Sequence, residues 1–156
     1  MAAPDMTAES YPTGTPALPP AHRVLSAARC RQLLAEHHIG RIAWNGADGL
    51  QLLPVSYALH HGAVVFRTSP YGVLSELIRP VDVIFEVDDL DSESRTGWSV
   101  VVTGRAQAVA EPRDLVELWT VAGVTPWAAG VRTLFIEVTP RQITGRQFGT
   151  DVSPHS

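Results

Sequence analysis

From Ile39 onward the apolar residues stop repeating at helical spacing, and the chain begins to turn back on itself at short intervals. "RIAW" runs into Asn45-Gly46 and Asp48-Gly49, "LQLLPVSYAL" follows, and His60-His61-Gly62 makes another tight connection before "AVVFRT". Asn-Gly and Asp-Gly supply the positive φ that short hairpin turns need, so these stretches read as an antiparallel meander. "VDVIFEVDDL", "GWSVVVTGRAQAVAE" and "VRTLFIEVTP" continue the pattern, and "RQITGRQF" adds a short further strand. No strand–helix–strand alternation supports a parallel sheet. Pro54 lacks a ladder donor, so its strand is expected at an edge, at a bulge, or where the backbone opens. Gly104 marks a bulge or bend in its long strand. The expected fold is mainly β (α+β): six or seven strands forming a small antiparallel barrel, with three helices packed outside.

The helices carry their own signals. Ser26 offers an N-cap, and Cys30, Leu33, Leu34 and His37 follow at i, i+3, i+4 and i+7, with Gly40 as the stop. A short helix is expected from Gly72 to Arg79. Another opens at Pro112 with Leu115, Leu118, Trp119 and Ala122 on one face. Residues 1–22 hold five prolines and few large apolar groups, so they read as a flexible tail. The folded domain then spans 23–148, and 149–156 form a second tail. The single Cys30 excludes an internal disulfide and falls on the apolar helix face, where it reads as a buried hydrophobe.

Charge narrows the function. The net charge is −4 and the arginines are scattered singly, which argues against a nucleic-acid surface. No window approaches the ~18 apolar residues of a membrane span, and no secretory signal opens the chain, so a cytoplasmic protein without membrane partners is expected. The acidic run "EVDDLDSE" lacks the register of a calcium loop and reads as a solvated turn. His37-His38 neighbours on a helix diverge, and His60-His61 falls in an expected exposed turn, so no metal is assigned. Ser99 has no nucleophile-elbow context. Trp98, beside a glycine at a strand start, suits a core, a subunit interface or an aromatic cofactor.

One stretch combines chemistry with position. In "VVFRTSPYGVLSEL", a strand delivers Arg67, Thr68 and Ser69 to the start of a helix. Arg67 can fork onto an anion, the hydroxyls add donors, and Ser69 as an N-cap would leave helix N–H groups facing an anion. The plainer alternative is an ordinary cap beside an exposed arginine.

"GRIAW", "LLPVSYALHHGAVVFRT", "FEVDDLD" and "RTGWSVVVTGRA", followed by "PWAAG" and "ITGR", resemble in order and spacing the pyridoxamine 5′-phosphate oxidase-like flavoproteins, in their small actinobacterial branch. The likeness covers roughly residues 24–148. It implies a six-stranded antiparallel split barrel, a homodimer, and FMN sites in the clefts between subunits. By position, Pro54, Val55 and Ser56 would run along the flavin ring, while Arg67, Thr68 and Ser69, with Val73 and Leu74 beside them, would form the phosphate end. Trp98 and Ser99 would approach from the neighbouring strand or the partner subunit. Family members often read "TAPGTKL" where this chain has "TSPYGVL", so Val73 stands where a phosphate-binding lysine would be. Arg79, Arg105 or a partner's copy of position 146 would have to compensate. The resemblance implies an oxidoreductase of unassigned substrate. The deazaflavin F420 is the alternative cofactor, and a cofactor-poor, non-enzymatic ligand-binding or interaction dimer is the alternative role.

Overall fold

Ser26 begins the first helix as its side chain suggests. In this computed structural model, which describes residues 22–120 and 134–149, α1 spans Ala27–Glu36 and Ser26 Oγ accepts from the Arg29 N–H at 3.1 Å. Cys30, Leu33 and Leu34 form its buried face. Gly40 does not stop the helix. His37 is the extended C-cap, and Gly40 lies inside the next strand, where an added Cβ would strike the Phe85 ring. The glycine is required by the ring of Phe85 leaning across from the neighbouring strand, not by a turn. Ser26→Ala should therefore cost about 1 kcal/mol, read as a Tm lowered by about 4 °C with an unchanged far-UV spectrum.

The described residues form eight strands: β1 His22–Val24, β2 Ile39–Gly46, β3 Gly49–Ser56, β4 Ala58–His60, β5 Ala63–Thr68, β6 Val81–Asp91, β7 Thr96–Ala108 and β8 Leu134–Phe148. A 3-10 helix over Val73–Ile78 joins β5 to β6, and α2, Pro112–Leu118, follows β7. His22, read from sequence as the last residue of the tail, opens β1 and pairs with Phe148. Residues 1–21, Ala122, the "PWAAG" segment and residues 150–156 lie outside the described residues.

Every pairing is antiparallel, and the strand order is β3-β2-β6-β7-β8-β5-β4, with β1 against β8. The strands at the two ends of this path, β3 and β4, are separated in the chain by Tyr57 alone. A sheet whose opposite edges are joined by one residue has to curl, and the result is a barrel split along β3. "LQLLPVSYAL" was expected as one strand; Tyr57 cuts it in two. Its side chain is fully buried, its N–H donates to the His38 carbonyl at 2.9 Å, and its hydroxyl donates to the Leu34 carbonyl at 2.7 Å. The ring also stands edge-on to Phe85 at 4.9 Å. Conversely, "LFIEVTP" and "RQITGRQF" join into one strand, β8.

Alternation along the strands sets the core. Ile42 and Trp44 of β2, Phe66 of β5 and Phe85 of β6 point inward, and Leu77 of the 3-10 helix closes one end. On the outer face of β5 and β8, Val65 and Phe135 meet Leu118 of α2 in a smaller cluster. Gly104 sits at a register shift between β7 and β8, as expected of a bulge. No helix among the described residues is long and apolar enough to cross a membrane.

Candidate functional site

Pro54 sits where its missing donor does least harm. β3 is an edge strand, and Pro54 faces Arg41 of β2 on its one paired side. Pro54 is exposed, Val55 points into the core, and Ser56 lies level with Ile39. Beside Pro54 opens a cleft of about 420 Å³ lined by Glu36, His37, His38, Ile39, Arg41 and Asp88. Trp98 reaches this cleft through His37, its ring edge-on at 4.7 Å, and Ser99 of β7 stands opposite Asp88. Of the residues expected at a flavin ring, Pro54 lines this opening, Trp98 packs behind His37, Ser99 lies level with Asp88, and Val55 faces the core. Arg41 bridges Glu86 at 3.0 Å and Asp88 at 3.3 Å. The Glu86 carboxyl is pushed above its ordinary range by burial first and by Asp88 next, with Arg41 opposing both. The cleft wall therefore carries one cation shared between two carboxylates. Arg41 had no signal in the sequence as a cleft residue, because only the β2–β3 pairing sets it opposite Pro54; His37 was read as a helix-face residue, and as the C-cap of α1 it lines the cleft instead.

The expected phosphate end is built differently from its sequence reading. Arg67 lies on the outer face of β5 opposite Phe135, and its guanidinium stacks over Trp119 at 4.3 Å and near the Phe135 ring at 5.5 Å. Stacking of this kind fixes the guanidinium plane. Trp119 follows α2 directly and was read as part of a helix face; nothing in the sequence ties position 119 to position 67. Thr68 turns the other way, into the barrel. It is 1% exposed, and its Oγ1 has no hydrogen-bond partner among the described residues. Ser69 does not cap the following helix: its Oγ accepts from the Tyr71 N–H at 3.2 Å, and Gly72 is an N-cap with no side-chain bond. A six-residue 3-10 helix without a capping side chain offers no helix-terminus anion site, so that expectation is withdrawn. Val73 opens this helix at 42% exposure, and Leu74 packs against the core.

The two ends lie on strands that approach each other. Ala58 of β4 opposes Val65 of β5. β3, which carries Pro54–Ser56, and β5, which carries Arg67 and Thr68, are in contact. For a flavin, these residues fit. A cleft beside an open strand edge suits the ring, and Arg67 and the Ser69 hydroxyl suit the phosphate. The Thr68 hydroxyl, one residue from Arg67 but on the inner face, is a buried donor without a partner among the described residues. The set has one cation fewer than the resemblance implies, because position 73 carries no charge. Arg79 and Arg105 are exposed, and the exposed Arg146 faces Ser99 across β7 and β8.

Known proteins share this fold. The sequence profile of the pyridoxamine 5′-phosphate oxidase family matches residues 26–147. The uncharacterized Mycobacterium tuberculosis protein Rv0080 is 32% identical over 125 residues, covering 77% of this chain and 81% of that protein. The solved structure of the FAD binding protein from Mycobacterium smegmatis is 34% identical, with a TM-score of 0.69 over 82% of this chain and 100% of that one. A candidate pyridoxamine 5′-phosphate oxidase from Corynebacterium glutamicum superimposes with a TM-score of 0.71 at 25% identity, over 86% of this chain and 97% of that one. The curled antiparallel sheet, its split at β3 and the extent of these matches agree: the chain belongs to the pyridoxamine 5′-phosphate oxidase family.

Proposed function

We propose that this protein binds a flavin along the split of its barrel and acts as a flavin-dependent oxidoreductase, working as a homodimer. The observation that carries the reading is the contact of edge strand β3, with Pro54–Ser56, against β5, with Arg67 and Thr68, next to a cleft lined by Pro54 and His37. A relative 34% identical over its whole length is an FAD binding protein, which supports the same cofactor class. When bound, a flavin supplies hydride transfer. The chain's part is to position: β3 presents edge backbone groups, Arg67 meets the phosphate end, and the Trp98–His37 pair walls the ring end. The dimer is supported by an outward apolar row across β3, β2 and β6. Leu52 (63% exposed), Ala43 and Ile84 (49% exposed) lie side by side there.

Val73 bears on which flavin. The phosphate monoester of FMN is close to a dianion at neutral pH, whereas each phosphate of FAD carries a single charge. A site with one cation at its phosphate end suits FAD better than FMN, and F420 is kept as a comparison. The test is the visible absorbance of freshly purified protein, followed by titration of stripped protein with FAD, FMN and F420 and by light scattering. The expected result is a dimer that binds FAD most tightly. Failure of all three titrations would remove the flavin reading and leave the non-enzymatic dimer, which the lost charge at position 73 favours.

A further inference from the structure

The tip of the β4–β5 hairpin and the face of α2 bring four metal-ligating side chains to one point. The hairpin turns through His61 and Gly62, whose φ values of +49° and +78° give both central residues the left-handed conformation of a tight hairpin turn. Histidine is one of the few side chains besides glycine, asparagine and aspartate found there. Consecutive residues of an extended strand point to opposite faces, but the turn breaks that rule here. The rings of His60 and His61 lie 4.1 Å apart, and both Nε2 atoms reach Glu117 Oε2, at 2.9 and 3.1 Å. Asp114 stands one helical turn before Glu117 on α2. One ligand atom from each of the four residues lies within 4.8 Å of the others.

We propose that His60, His61, Asp114 and Glu117 form a binding site for a divalent transition metal of the zinc class. This departs from the sequence expectation of no metal, which rested on treating the two histidines as an exposed turn. Three features favour a metal over a hydrogen-bonded cluster. The His60 side chain is only 13% exposed, so its imidazole is largely withdrawn from water. Asp114 shares the cluster, yet its carboxylate makes no hydrogen bond or ion pair among the described residues. Two carboxylates so close together repel unless a cation lies between them. Finally, two imidazoles and two carboxylates carry two negative charges, which a divalent ion neutralises, and this nitrogen–oxygen set suits zinc and its neighbours better than magnesium or calcium.

The geometry needs small adjustments only. With bonds of about 2.0–2.2 Å, ligand atoms at the corners of a tetrahedron stand about 3.3–3.6 Å apart. The two His–Glu distances would open by a few tenths of an ångström, and the wider pairs would close by about 1 Å, within the reach of side-chain rotation at a surface. Four protein ligands leave no open position, so the role is structural: the metal would clamp the hairpin tip to α2. The site stands whether or not a flavin binds.

The test uses the full chain with any purification tag removed, stripped with chelator, then titrated with Zn²⁺ and with Co²⁺ as a visible reporter. One ion per chain should bind, and Tm should rise by about 5 °C or more at saturation. Mg²⁺ at the same concentrations should not act. His61→Asn keeps a residue suited to the turn, and Glu117→Gln keeps the helix. Each should fold with a Tm near that of the stripped wild type, yet bind at least about tenfold more weakly, the scale already set by losing an outer-sphere partner. Absence of stoichiometric binding by the wild type would overturn the site. Wild-type affinity in either variant, or a response to Mg²⁺ equal to that for Zn²⁺, would overturn it as well.

Discussion

Tyr57→Ala is expected to reduce the unfolding free energy by about 3–5 kcal/mol, measured by urea denaturation. A domain of this size has about 5–15 kcal/mol in total, so much of its stability would go. The reason lies in the connection that Tyr57 makes. It is the single residue between β3 and β4, the strands at opposite ends of the sheet path, and its side chain is fully buried. Truncation would leave a cavity beneath Phe85 and α1, at the point where the barrel closes on itself. Tyr57→Phe separates packing from hydrogen bonding. It keeps the ring against Phe85 and removes the donor to the Leu34 carbonyl, at a cost of about 1 kcal/mol. If the alanine variant lost no more than the phenylalanine variant, the closure would not depend on this ring.

Tyr57 also shows how much of the fold was legible in the sequence. Pro54 at an edge, Gly104 at a bulge and the Ser26 cap are local effects, each decided within a few residues, and the structure places all three as expected; the first hairpin turns where expected, but through Ala47 and Asp48, with Asn45 and Gly46 still paired in β2. What was misread depended on distant partners. Gly40 looked like a helix stop, but Phe85 needs the space above it. Tyr57 looked like one more strand residue, because only the curl of the sheet makes it a joint. Ser69 looked like a cap, yet its hydroxyl closes a turn onto Tyr71 instead. The site divides in the same way. Arg67 was legible as a cation at a strand end, whereas Trp119 beneath it belongs to a helix some fifty residues later in the chain. His60 and His61 were visible as a pair but read as an exposed turn; the left-handed turn and α2 make them converge.

Arg67→Ala should weaken flavin binding about tenfold to a hundredfold, and Val73→Lys should strengthen FMN binding by about tenfold. The first figure is the loss of one charge-assisted contact, about 1.5–3 kcal/mol. The second restores a cation at the start of the 3-10 helix, where the exposed Val73 gives up little packing. FAD should gain less from Val73→Lys than FMN does, because its phosphates carry less charge apiece, so the FMN-to-FAD preference should move toward FMN. Arg67 also rests on Trp119 and Phe135, which means the alanine variant removes a cation–π contact as well as a ligand. Tm measured without cofactor separates the two losses: a stability change shared by Trp119→Ala belongs to the stack, while a fall in flavin affinity beyond that of Trp119→Ala belongs to the phosphate. Arg67→Lys should not restore full binding, since a lysine keeps the charge but lacks the planar fork that stacks on an indole and grips two oxygens together. Unchanged flavin affinity in both Arg67→Ala and Val73→Lys would place the phosphate away from the end of β5, and the composite site along the split would have to be abandoned.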